Sequence, residues 1–136
     1  MKRYLLDTGI MGDFINHRNS VDDRVRAARK SGAKIGTCLP VLGELVYGAE
    51  YSATRDENLK RLHRALAGIL CWPFDRLAAD EYGRLAAALR RAGRSVGQVD
   101  IQVAAIALGL NDCTVVSSDG DFLAIPGLTV ENWAKP

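Results

Sequence analysis

The stretch Tyr4-Leu5-Leu6-Asp7, almost at the start of the chain, limits the fold more than any other. Its apolar run suits one buried strand, although it is too short for periodicity alone to identify. Asp7 and Thr8 follow at once, and Gly9-Ile10 lead into Met11–Ile15, a candidate helix. A carboxylate just past the end of a buried strand is costly to place without a reason. In an open α/β sheet, the crevice outside the strands' carboxyl ends is where ligands bind. Asp7 is therefore a candidate for chemistry, and it is equally a candidate helix N-cap.

The rest of the chain alternates in the same way. Helical spacing runs from Ser20 to Lys30, with Gly32 as a stop, and Ala33–Thr37 reads as a second strand. Pro40 suits a first helical turn, and Leu42, Leu45, Val46 and Ala49 form an apolar face with Glu44 just off it. Thr54–Leu70 reads as one amphipathic helix, with Leu59, Leu62, Leu66, Ile69 and Leu70 inward and Arg55, Lys60, Arg61 and Arg64 outward. Cys71–Phe74 interrupts it with room for a brief strand. Asp75 opens a further helix with Leu77, Ala78, Tyr82, Leu85 and Leu89 on one face, and Gly93 suits its C-terminal cap. Gln98–Leu110 is apolar almost all round, which predicts a buried helix, with Asp100 in its first turn. Thr114–Val116 and Leu128–Val130 read as strands. Strands alternating with helices predict an α/β fold on a mostly parallel sheet, as one domain over residues 1–136.

Composition removes several classes. Eighteen Lys plus Arg against sixteen Asp plus Glu give a net charge of +2, too mild to mark a nucleic-acid binder by bulk charge. Cys38, Cys71 and Cys113 lie far apart and read as small buried hydrophobes. Two histidines, His17 and His63, are too few for a histidine-rich zinc site. With no signal peptide and no membrane-length apolar run, a soluble, cytoplasmic protein is expected.

The acids then stand out. Asp7 and Asp119 each follow a strand, Glu44 and Asp100 sit on apolar helices, and Asp121 lies two residues beyond Asp119. No lysine or arginine is placed to pair with the first four. Carboxylates gathered at one sheet edge raise each other's pKa, and a divalent cation removes that penalty. Oxygen donors without histidine or thiolate favour Mg2+, with Mn2+ as a plausible substitute, and Asp7, Asp100 and Asp119 are the expected metal ligands. Such a centre suits phosphodiester hydrolysis. Arg84, Arg90, Arg91 and Arg94 are candidate phosphate contacts, although cations at a solvated helix end are the plainer reading.

Taken as an ordered set, Leu5-Leu6-Asp7-Thr8, Gly43–Ala49, Asp100–Leu108, Val115–Phe122 and Ile125–Leu128 resemble the PIN-domain ribonucleases, specifically toxins of bacterial VapC type. The resemblance implies a three-layer α/β/α sandwich and a Mg2+-dependent endoribonuclease. Asp7, Glu44, Asp100 and Asp119 match the family's catalytic tetrad; Asp121, Thr8 and Ser117 match accessory positions. It also implies a homodimer, an RNA substrate and a small antitoxin whose tail occupies the active-site groove. Gly9 stands where the family most often has asparagine, so one amide that would orient an acid or a water is missing. Two other readings are a catalytically weak scaffold used for RNA or protein binding, and a haloacid-dehalogenase-like phosphatase. The latter needs an acid at position 9 and a lysine between Asp100 and Asp121, and neither is present.

Overall fold

The computed structural model describes residues 1–135. Strand β1 (Arg3–Leu6) is followed by helices α1 (Thr8–Ile15) and α2 (Val21–Lys30), then by β2 (Lys34–Cys38). Helices α3 (Leu39–Tyr51) and α4 (Arg55–Leu66) lead to β3 (Leu70–Trp72). Helices α5 (Arg76–Arg91) and α6 (Gln98–Gly109) lead to β4 (Cys113–Val116). A 3-10 turn over Gly120–Ala124 precedes β5 (Thr129–Glu131).

The five strands form one sheet in the order β3-β2-β1-β4-β5, with every neighbouring pair parallel. The connections step from β1 through β2 to β3, then jump back across β1 to β4. Right-handed crossovers in these opposite directions put helices on both faces of the sheet, giving the three-layer sandwich. The reversal also makes a topological switch point where β1 and β4 lie side by side, with Leu6 opposite Val116. Leu5, Leu6, Val115 and Val116 are fully buried at this centre. Helix α6 is the buried helix its composition predicts, with Ile101, Val103, Ala104, Ala105, Ile106 and Ala107 all inside. Among the described residues no helix is long and apolar enough to cross a membrane.

Three expectations need correction. The helix predicted over Thr54–Leu70 ends at Leu66, and Leu70 begins β3. Ile69 and Leu70 continue the helical apolar spacing, but Ala67-Gly68 form a turn in which the Ile69 N–H donates to the Leu66 carbonyl at 3.0 Å. Ile69 still reaches the core, whereas Leu70 sits exposed on the edge strand. Leu77 is 68% exposed in the first turn of α5, while Ala78, Leu85 and Leu89 make the buried stripe. Cys71 is exposed on β3 rather than buried, because that strand has no outer neighbour to cover it.

Candidate functional site

The site is built where β1 and β4 end. The Asp7 N–H donates to the Val116 carbonyl at 3.1 Å, so the sheet's pairing fixes its backbone before the side chain begins. Asp7 is buried, 7% exposed, and each carboxylate oxygen has a donor. Oδ1 accepts the Ile10 N–H at 2.9 Å, and Oδ2 accepts the Ser117 hydroxyl at 2.5 Å. Cap and site are thus one residue: Asp7 closes the first turn of α1 and faces the switch point. Burial pushes its pKa up most, the Ser117 and Ile10 hydrogen bonds pull it down, and the nearby Asp119 charge adds to the rise.

Ser117 is the hub. Its N–H donates to the Glu131 carbonyl of β5 at 2.9 Å, which holds it at the end of β4. Its hydroxyl donates to Asp7 and accepts the Asp119 N–H at 2.9 Å. Asp119 then caps the 3-10 turn, its Oδ1 accepting the Asp121 N–H at 2.9 Å. Across the crevice, the Thr8 hydroxyl donates to Glu44 Oε1 at 2.5 Å, tying the start of α1 to the middle of α3. Asp100 enters from the first turn of α6, where the helix dipole favours an anion.

Asp100, Asp119 and Asp121 come closest, with one carboxylate oxygen from each lying within 4.8 Å of the others. Asp100 is half-buried, and its pKa is pushed up to about 6. Burial is the largest cause, followed by the charges of Asp119, Asp7, Glu44 and Asp121. All five acids therefore act on one place. Among the described residues none of them is in an ion pair. Asp121, expected as an accessory, sits inside the tight triad. Asp7, expected as a ligand beside Asp100 and Asp119, lies outside it with both oxygens already hydrogen-bonded.

This donor set fits a hard divalent cation. Oxygens around an octahedral Mg2+, with bonds of roughly 2.0–2.1 Å, lie about 3–4 Å apart, a small closure from the observed spacing. Glu44 is exposed and Asp100 half-buried, which leaves the site open on one side to water and to a phosphate.

Two concave surfaces adjoin the helices that carry the acids. A groove of about 360 Å³ runs between α1, α3 and α4, walled by Ile15, Leu45 and Leu62 and opening onto Thr8 and Glu44. Arg61 lines it and donates to Asn16 Oδ1 at 3.1 Å, although helical spacing alone puts Arg61 on an outward face. Only the packing of three helices reveals this groove; no local signal marks it. On another side, Arg90 and Arg94 line a hollow at the end of α5, and Arg91, exposed like them, does not. Arg84 is held by Glu81 on its own helix.

Comparison with known proteins agrees with this geometry. The sequence model of the PIN domain matches residues 4–128. Ribonuclease VapC2 of Rickettsia felis is 31% identical over 97% of this chain and 98% of its own length. The tRNA(fMet)-specific endonuclease VapC of Shigella flexneri is 30% identical over 98% of this chain and 100% of its own. Among solved structures, VapBC2 from Rickettsia felis bound to a promoter DNA fragment superposes with a TM-score of 0.90 at 29% identity. That match covers 96% of this chain and 98% of the other.

Proposed function

The chain belongs to the PIN domain family, and from that premise we propose that it is a Mg2+-dependent endoribonuclease of VapC type, the toxin of a toxin–antitoxin pair. The observation that carries this reading is the convergence of Asp100, Asp119 and Asp121 within 4.8 Å without a paired cation. Relatives named as ribonucleases match over nearly the whole chain, which favours hydrolysis of RNA over a binding-only scaffold or a phosphatase.

Asp100 and Asp119 would hold the ion, with Asp121 and Asp7 completing its surroundings. When bound, Mg2+ or Mn2+ supplies Lewis acidity toward a phosphodiester oxygen and lowers the pKa of a coordinated water. The protein's own share is positioning. Ser117 locks Asp7 and the Asp119 main chain to one hydroxyl, so the two strand-end acids cannot drift apart. Thr8 fixes one oxygen of Glu44 and leaves Oε2 free to face substrate or water. With its pKa pushed up to about 6, Asp100 is still mostly ionised at neutral pH, and protons compete with a cation for it only as pH falls toward that value.

The groove beside Thr8 and Glu44 suits the tail of an antitoxin, since apolar walls lead straight to the acids. A solved structure at 27% identity and a TM-score of 0.70, VapBC-5 from Mycobacterium tuberculosis, is named as a member of a family of toxin–antitoxin systems. A second copy of the chain, giving a homodimer, would cover apolar side chains left exposed, such as Leu70 and Leu77.

The test is cleavage of a mixed RNA pool by purified protein in Mg2+ and in EDTA, beside an Asp100→Asn variant. A transfer RNA of the kind named for the Shigella relative is the first defined substrate to try. Cutting that needs metal and vanishes in the variant is expected. Equal inertness of two folded, antitoxin-free proteins would remove the nuclease reading, and activity surviving in the variant would reassign the acids.

A further inference from the structure

Helix α5 ends in a turn with a specific consequence. Gly93 takes φ +71°, a left-handed conformation that suits glycine. Its N–H donates to the Arg90 carbonyl at 3.1 Å, and the Arg94 N–H reaches back to the Leu89 carbonyl at 2.8 Å. This paired closure is a Schellman turn, which reverses the chain at the helix end. Arg94 is thereby folded back beside Arg90, and the two line one hollow of about 390 Å³ with Leu89, Ser95, Val96 and Ile101. Ile101 directly follows Asp100, so the hollow and the acid cluster share the first turn of α6. Arg91 is one residue from Arg90 and lies outside the hollow.

Six arginines of this chain are engaged elsewhere. Arg18, Arg26, Arg55 and Arg84 hold carboxylates, while Arg3 and Arg29 donate to main-chain carbonyls. Among the described residues Arg90 and Arg94 have no ion-pair partner. Two unpaired guanidinium groups on one concave surface repel each other until an anion lies between them. Guanidinium offers phosphate a planar fork of donors, and the Ser95 hydroxyl adds another. The acids, for their part, repel every substrate phosphate not held by the metal. A polyanionic strand crossing the site needs a cation next to it.

We propose that Arg90 and Arg94, set by the Gly93 turn, form a subsite for a backbone phosphate of single-stranded RNA next to the cleavage site, with Arg91 outside it. This rests on the ribonuclease reading above. The apolar floor of Val96 and Ile101 accommodates a sugar or base face, and the hollow is within the roughly 300–1,000 Å³ range of small-ligand sites. Holding a flanking phosphate positions the strand and leaves the chemistry to the acids, so its loss raises KM more than it lowers kcat.

Binding and cutting are measured separately. Fluorescence anisotropy with a short unstructured oligouridylate in EDTA gives Kd against salt for wild type, Arg90→Gln, Arg94→Gln and Arg91→Gln. Each of the first two weakens binding about five- to tenfold and flattens the log Kd against log salt slope by about 0.7, the contribution of one phosphate contact on a single strand. Arg91→Gln stays within about twofold of wild type, and Arg94→Lys retains the slope because it retains the charge. With Mg2+, KM rises in the same variants. Equal effects at all three arginines, or none, overturn the subsite while a cutting wild type leaves the nuclease reading standing. An inert wild type whose RNA binding still depends on Arg90 and Arg94 upholds the subsite and removes the nuclease reading. A wild type that neither binds nor cuts RNA overturns both.

Discussion

At the β2–β3 flank of the sheet, Trp72 lies so close over Gly36 that a methyl group there would meet its ring at 2.7 Å. At the β1–β4 edge of the same sheet, five carboxylates face one crevice, and a few hydrogen bonds are all that hold them in place. The first region is filled for stability. The second gathers like charges that oppose folding and are useful once a cation and a substrate arrive. Both regions hang on parallel strands, but the first is made by residues within β2 and β3 and the second by residues just past the ends of β1 and β4. A stability–activity trade-off of this kind is expected where a site stores repulsion.

The largest effect that tests the contrast is at Asp100. On the proposed function, replacing it with Asn removes one carboxylate of the Asp100, Asp119 and Asp121 cluster and so several kcal/mol of transition-state stabilisation, on the order of a 10³-fold loss of cleavage rate. The same change lowers the charge crowding around Asp119 and Asp121, so the metal-free protein should melt higher than wild type. Initial-rate cleavage and a thermal melt in EDTA read the two signs. A variant that loses both activity and stability would mean that Asp100 supports the fold, and the contrast would fail.

Ser117→Ala comes next. The hydroxyl joins Asp7 to the Asp119 main chain, a supporting role whose loss around metal sites typically costs about 10- to 100-fold in affinity or activity. Titrating activity against Mg2+ should show a weaker apparent metal affinity, and Ser117→Thr, which keeps the hydroxyl, should recover most of it. No recovery with threonine would show that size, not hydrogen bonding, matters at this buried position.

Gly36→Val probes the other flank. Overpacking against Trp72 and the Leu70 carbonyl should cost about 1–3 kcal/mol in urea denaturation. Cleavage per folded molecule should stay near wild type, because Gly36 lies away from the acids. If activity falls with stability, the two regions are coupled through β2 and β1 and cannot be treated as separate.

The two flanks also differed in how openly the sequence displayed them. The acid edge could be read early, because Leu5-Leu6-Asp7 and Val115-Val116-Ser117 each end an apolar run abruptly in a polar group. The α6 core could be read for the same kind of reason: thirteen residues apolar almost all round allow few placements. A brief strand was legible within Cys71–Phe74, but the start of β3 at Leu70 was hidden because Ile69 and Leu70 keep helical spacing through a turn that only backbone geometry reveals. Asp121 was placed as an accessory because its approach to Asp100 depends on the 3-10 turn capped by Asp119, a tertiary fact. The three arginines at the end of α5 looked alike in sequence, and the left-handed residue at Gly93 is what separates them.

The smallest expected effect concerns pH, and it bears most directly on the stored repulsion. Asp100 titrates near 6 in the folded protein against an ordinary value near 3.8, so the folded state binds the proton more tightly. Between those two values the native protein carries more protons than the unfolded chain, and stability falls as pH rises through that window. Above about 6 the penalty is complete; below about 4 it is absent. Asp100 is only half-buried, so solvent screening cuts the effect to roughly 1 kcal/mol or less, a few degrees in Tm. Because other groups titrate over the same range, the informative quantity is the difference between wild type and Asp100→Asn. In EDTA the variant's advantage should grow from pH 4 to pH 6.5, and in excess Mg2+ it should shrink or reverse, because the cation then stabilises the ionised triad. A difference that stays flat with pH in EDTA would mean that the carboxylates do not feel one another, and the acid edge would then be no more strained than the packed flank.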